Sequence, residues 1–347
     1  VVPANQGAQE SRQGTDAESR VAGLLAATVV WDNHACMPMR PGDESFLPQL
    51  QRHRQAGFDF VSLNVGFDIF EWRLAFEMLA TFRSWIQRHP GEYRLVDTVA
   101  DIRRAKAEGK LAVAFDVEGG NALDGRPELV ESYYRLGVRW MLLAYNKNND
   151  LAGGCQDADS GLTDLGRRVI DEMERVGMVL CCSHMGQRSA REAIEYSRHP
   201  VIFSHSNPQA VHAHPRNISD DLIRACAQSG GVVSVNGFGL FLGDNDNSTE
   251  TLLRHIEHVA DVAGPAHVGL GLDYLFDVQE LDEFMAGNPQ MYPADKGYSK
   301  GIRMIEPERL PAIVEALLRR GWKDDAVKGL LGGNNLRVAE QVWKPNA

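Results

Sequence analysis

Residues 176–206, VGMVLCCSHMGQRSAREAIEYSRHPVIFSHS, constrain the fold more than any other stretch. Two short apolar runs, MVLCC and VIF, each end in Ser-His. The polar segment between them, residues 187–198, carries Ala190, Ala193, Ile194 and Ser197 at roughly helical spacing. A buried strand, a helix and a second buried strand make a βαβ unit, because parallel strands need a long crossover whose helix covers one face of the sheet. His184 and His205 then stand at the C-terminal ends of neighbouring strands, the edge where α/β folds gather their chemistry. Neutral imidazole is a common metal ligand, so the pair points to a metal site. Two strand-end histidines that merely cap loops are the blander account.

The same alternation recurs along the chain. An apolar run, residues 27–31, leads into Asp32, His34 and Cys36, with Pro38 ending the strand. Residues two apart on a strand share a face, so His34 and Cys36 can reach one ion; a buried Cys beside a loop His is the alternative. LAVAFDVEGG delivers Glu118 at the end of a buried run, where a carboxylate needs a partner, functional or structural. VRWMLLAYN ends at Tyr145 and Asn146, and the polar loop KNNDLAGGCQDADSG after it is long enough to cover a site. HVGLGLDY ends at Asp273, and the loop after His205 carries His212, His214 and Arg216.

Helices are expected between these strands, including one over 46–57, one over 70–90, and one after GLTD with Thr163 or Asp164 as its cap. His53 falls among Arg and Gln and reads as a solvated surface residue; His255, His258 and His267 read as bland. With FDFVSLNVG and VVSVNGF, the strands number eight and no linker interrupts them. The expectation is a single (β/α)8 TIM barrel over residues 21–347, closed by C-terminal helices. His34, Cys36, Glu118, Tyr145, His184, His205 and Asp273 all fall at strand C-terminal ends, which in this fold form the active-site rim.

Composition excludes several classes. A net charge of −11 with no basic patch argues against nucleic acid. No apolar run reaches the roughly 18 residues of a membrane span. The polar N-terminus, residues 1–20, reads as a flexible leader of the sort left when a longer precursor is trimmed. Five cysteines are few and odd in number, and Cys181, Cys182 and Cys226 fall in or beside core segments, so reduced thiols and a cytoplasmic location are expected. A homodimer stays open.

The set as a whole resembles the membrane (renal) dipeptidase family of the amidohydrolase superfamily, whose members are zinc-dependent dipeptidases. The likeness runs from WDNHACMP through VEGG, LGVRWMLLAYN, GLTDLGRRVIDEMERVGM, SHMG, PVIFSHSNPQAVHAHPRN and GLGLDY to LLGGNNLRVAEQVW. It implies that His34 binds a first zinc, that Glu118 bridges two zincs, and that His184 and His205 bind the second. It also implies that Asp273 handles the proton of the attacking water and that Arg216 holds the substrate's terminal carboxylate. Two positions depart from the family pattern: Cys36 stands where His-x-Asp has its Asp, and Tyr145 stands where strand four carries a substrate-contacting His. Cys36 is then a thiolate ligand, a neutral thiol beside an empty position, or, least favoured, a nucleophile. The function implied is zinc-dependent hydrolysis of a dipeptide or similar small amide, with one or two ions. The alternatives are a hydrolase of a non-dipeptide amide or lactam, and a catalytically silent binding protein.

Overall fold

The computed structural model describes residues 4–345, and the side chains of residues 16–345. Ten strands form one sheet in which every pairing is parallel. They are β1 (Trp31–Cys36), β2 (Phe60–Phe67), β3 (Tyr93–Leu95), β4 (Leu111–Glu118), β5 (Val138–Leu142), β6 (Val179–Cys181), β7 (Ile202–Phe203), β8 (Val232–Val235), β9 (Val268–Leu270) and β10 (Tyr274–Leu275). The order along the sheet is β10-β1-β2-β4-β5-β6-β7-β8-β9, with β3 paired to β4 outside that path.

β9 and β10 are two halves of one interrupted strand. β9 pairs with β8 and β10 pairs with β1, and only residues 271–273 separate them. The two ends of the sheet therefore meet in a single extended segment, which is how the expected TIM barrel closes. At the interruption, a Cβ on Gly271 would lie 1.9 Å from the carbonyl oxygen of Ser204, so only glycine lets the seam approach β7 that closely.

The elements follow from local rules. Helix Asp164–Val176 opens on Thr163, whose side chain accepts from the Gly166 N–H, and ends at Gly177 in the left-handed region. Thr98 and Asp101 form a capping box at the start of helix Val99–Ala107. The first strand begins later than its apolar run predicts. Helix Ala4–Ala27 runs into that region and buries Val21 and Leu24 against the core, so the strand starts at Trp31, and it contains His34 and Cys36 as expected.

His53 is a further difference. It is fully buried, with Nε2 2.9 Å from Asp32 Oδ2, because Asp32 sits inside β1 and needs a partner that the solvent cannot supply. Among the described residues, no helix is long and apolar enough to cross a membrane.

Candidate metal centre

The predicted site residues reach the barrel mouth from six strands. Glu118 is the last residue of β4; His184 and His205 lie just past β6 and β7; Asp273 lies in the break between β9 and β10. Three residues at this rim, Asn146, His184 and Asp273, have φ of 58°, 65° and 57°. The left-handed conformation costs a non-glycine residue on the order of 1–3 kcal/mol and persists where surrounding structure enforces it. Here it turns the backbone out of the strand and the side chain inward.

Two groups of donor atoms face each other. In the first, His184 Nε2 and His205 Nε2 are 2.9 Å apart, and Glu118 Oε1 lies 3.2 Å and 3.0 Å from them. His184 Nδ1 is 2.8 Å from Asn146 Oδ1, an oxygen that only accepts, so Nδ1 carries the proton and Nε2 keeps its lone pair. In the second, His34 Nε2 lies 3.4 Å from Cys36 Sγ, 3.5 Å from Asp273 Oδ1 and 3.6 Å from Glu118 Oε2. Glu118 thus turns one oxygen to each group.

A cation fits this set on an observation of the structure itself. Glu118 Oε1 is buried with no hydrogen-bond partner, although two imidazole nitrogens crowd it. Glu118 Oε1 and the lone pair of His184 Nε2 in contact repel unless positive charge lies between them. The protonation preferences agree. Burial pushes Glu118 up to about 8, Cys36 up to about 12, and Asp273 above the usual carboxylate range. Burial, Arg216 and His34 hold His184 and His205 well below an ordinary histidine. Of the three histidines, only His34 is raised, because Cys36, Asp116 and Glu118 outweigh its own burial. A divalent cation restores ionised carboxylates beside neutral imidazoles.

Around these ligands lies a layer the sequence reading missed. Asp116 Oδ1 sits 3.1 Å from His34 Nδ1; Ser62 Oγ donates to Asp116 Oδ2 at 2.6 Å, and Asn64 Nδ2 donates to both Asp116 and Glu118. Asn236 Nδ2 donates to Asp273 Oδ2 at 2.8 Å. Such partners fix the tautomer and orientation of ligands. A signal for Asp116 was present: it precedes Glu118 by two in a strand, and so shares its face. Tyr292 had none, since it arrives from a loop far along the chain.

Tyr145 stacks on His184 with ring centroids 4.1 Å apart, and its hydroxyl lies 2.9 Å from that of Tyr292. Arg216 stands apart from the cavity. It is 2% exposed and donates to Ser206 Oγ at 3.0 Å and to the His205 carbonyl at 2.8 Å, while its Nε has no partner. Above the centre, a cavity open to solvent is lined by Cys36, Glu118, Tyr145, His184 and Asp273 at its base and mainly by apolar side chains elsewhere.

Residues 21–286 match the membrane dipeptidase family (peptidase family M19). The chain belongs to the membrane dipeptidase family. An uncharacterized dipeptidase of Schizosaccharomyces pombe is 32% identical over 279 residues, covering 77% of this chain and 61% of that protein, so the chain spans only part of its relative's length. An amidohydrolase from Pseudomonas aeruginosa has 28% identity and a TM-score of 0.83, covering 93% of this chain and 99% of that one. A metallo peptidase from Rhodobacter sphaeroides, solved with a phosphinate mimic of the dipeptide L-Ala-D-Ala, shares the fold at 21% identity and a TM-score of 0.73, covering 91% and 100% of the two chains. At the barrel mouth, His34, Glu118 and His205, and likewise His34, Cys36 and Asp273, bring donor atoms close enough together to hold a metal ion.

Proposed function

We propose that this chain hydrolyses small amides, dipeptides first among them, with the help of one or two zinc ions. The observation that carries the reading is the convergence of His184 Nε2, His205 Nε2 and Glu118 Oε1 within 3.2 Å, with the other oxygen of Glu118 turned to His34. Glu118, His184 and His205 would hold one ion; His34 and Cys36 would hold another, with Glu118 shared between them. When bound, such ions lower the pKa of water and polarise a scissile carbonyl.

The chain's own residues do the remaining work. Asp273 is held through Oδ2 by Asn236, which leaves Oδ1 to take a proton from the attacking water and return it to the leaving amine nitrogen. Tyr145, fixed by its stack on His184, donates its hydroxyl to the oxygen that gains negative charge. Arg216 has spent two N–H groups on Ser206 and His205, and its remaining N–H groups would hold a substrate carboxylate that reaches past the cavity lining to them.

The test is Arg216→Met. Loss of a charge-assisted, partly buried pair is worth about 2–4 kcal/mol, so KM for dipeptides with a free C-terminus should rise roughly 30- to 1,000-fold, with amidated analogues little changed. An equal response from both would make Arg216 a prop for the backbone at His205. A second reading, an amide or lactam without a free carboxylate, draws on the cavity lining, which includes no Lys or Arg among the described residues. It requires the parent enzyme to cleave amidated and free substrates alike.

A further inference from the structure

The space above the metal ligands has two unlike sides. On one, Phe241 lines the cavity, and Arg216, set back outside the lining, follows β7 with its guanidinium carbon 5.6 Å from the centre of that ring. β2 lies across the barrel ring from β7, and there the wall is aromatic. Phe67 ends β2, with its ring 5.1 Å from Tyr145 and 4.8 Å from Phe70. Phe284, on helix Val278–Gly287, closes over both at 5.6 Å. Leu281 and Met285 share that helix face at a spacing of one turn, and Met39 completes the wall. Rings are therefore in contact all the way from the ligand His184, through Tyr145, to Phe70 and Phe284.

Resting on the amide-hydrolase reading, with Arg216 at the leaving-group end, we propose that this chamber selects substrates with a bulky apolar side chain, aromatic or long aliphatic, on the acyl side of the scissile bond. Phe67, Phe70 and Phe284 are each partly exposed, so a side chain that covers them removes apolar surface from water on both partners. A charged side chain finds no partner there. Asp277 and Glu280, the two acids on this wall, are already engaged: Arg40 pairs with both, and Glu280 also accepts the Met39 N–H at 3.1 Å. A carboxylate placed against the ring faces is desolvated without return, since those faces are negative.

Steady-state kinetics of the zinc-loaded protein on Phe-Ala, Leu-Ala, Gly-Ala and Asp-Ala test the assignment. Phe-Ala and Leu-Ala should exceed Gly-Ala in kcat/KM by on the order of 10- to 100-fold. Phe284→Ala and Phe70→Ala should each lower kcat/KM for Phe-Ala more than for Gly-Ala. Equal rates on Phe-Ala and Gly-Ala, or a preference for Asp-Ala, would overturn the chamber and leave the hydrolase reading standing. If no dipeptide is turned over, calorimetric titration of the same four peptides decides. Phe-Ala binding at least about tenfold tighter than Gly-Ala would keep the chamber while the hydrolase reading falls. Equal affinity, or no binding, would overturn both.

Discussion

Cys36 is the residue that most separates this chain from the family pattern. Its sulfur lies 3.4 Å from His34 Nε2, on the side of the cluster that also holds Asp273. Thiolate is a soft donor that favours zinc over manganese or cobalt, so ligation by Cys36 should narrow the metal preference. Cys36→Asp should retain two metals per chain, and Cys36→Ser should keep only the ion held by Glu118, His184 and His205. Metal-to-protein stoichiometry checks both, with zinc-edge absorption to detect a Zn–S bond; a parent with one zinc and no sulfur ligand would refute ligation. The convergence of the candidate ligands at one rim was legible because each interrupts an apolar run at a strand end. Asp116, Ser62 and Asn64 were legible only through strand alternation, since nothing else marks a buried polar residue as a ligand's partner. The pairing of Tyr145 with Tyr292 was not legible, because no local pattern records which distant loop folds back over a barrel mouth.

Among the elements, helix Gln187–Tyr196 begins three residues after His184 and has Gly186 at its N-cap, with no side chain to satisfy the first N–H groups. Asp159, from the loop after β5, does so from a distance. Its Oδ2 accepts the N–H groups of Arg188 at 2.7 Å and Ser189 at 2.9 Å, and Oδ1 accepts that of Gly161 at 3.0 Å. Burial alone would raise the Asp159 carboxyl, but the Ser189 hydroxyl, which donates to Oδ1, together with these N–H groups outweighs it and holds it below the usual range. A depressed carboxylate contributes stability that is present above its unfolded pKa, about 4, and lost as pH falls through its folded value. Asp159→Asn should therefore cost about 1–2 kcal/mol at pH 7, and the gap to the parent should close toward pH 3 in urea titrations. A gap independent of pH would mean the contact is one of shape. The loop was legible as long enough to cover a site, but its service as a helix cap was not. A capping carboxylate is normally sought next to the helix, and this one lies nearly thirty residues upstream. The late start of β1 and the short strand β3 escaped notice for a related reason: an apolar run does not say whether a helix or a strand will use it.

At the scale of the whole molecule, the ligands come from widely separated strands, so a bound ion ties the barrel to itself. A ligand that binds only the folded state stabilises it by about 4 kcal/mol at a thousandfold excess over Kd. At roughly 2–4 °C per kcal/mol for a domain of this order of size, chelation should lower Tm by about 10 °C. Scanning calorimetry with and without chelator checks this, and the double variant His184→Ala, His205→Ala should show little of the shift. The barrel itself was legible because eight strands alternate with helices; the split of the last strand was not, since GLGLDY reads as continuous. That split has a consequence for how the molecule comes into being. β1 is among the first strands made, yet its partner β10 is among the last, and Asp273 sits at the junction that joins them. A chain still on the ribosome holds an open parallel sheet with both edges bare, and closing it must overcome the entropy of a loop nearly as long as the barrel. His34 and Asp273, on opposite sides of that seam, come within 3.5 Å only when the last strand docks. Were His34 to hold an ion as proposed, its uptake would mark the moment of closure, and a collapsed but unclosed chain would carry the candidate ligands without the site.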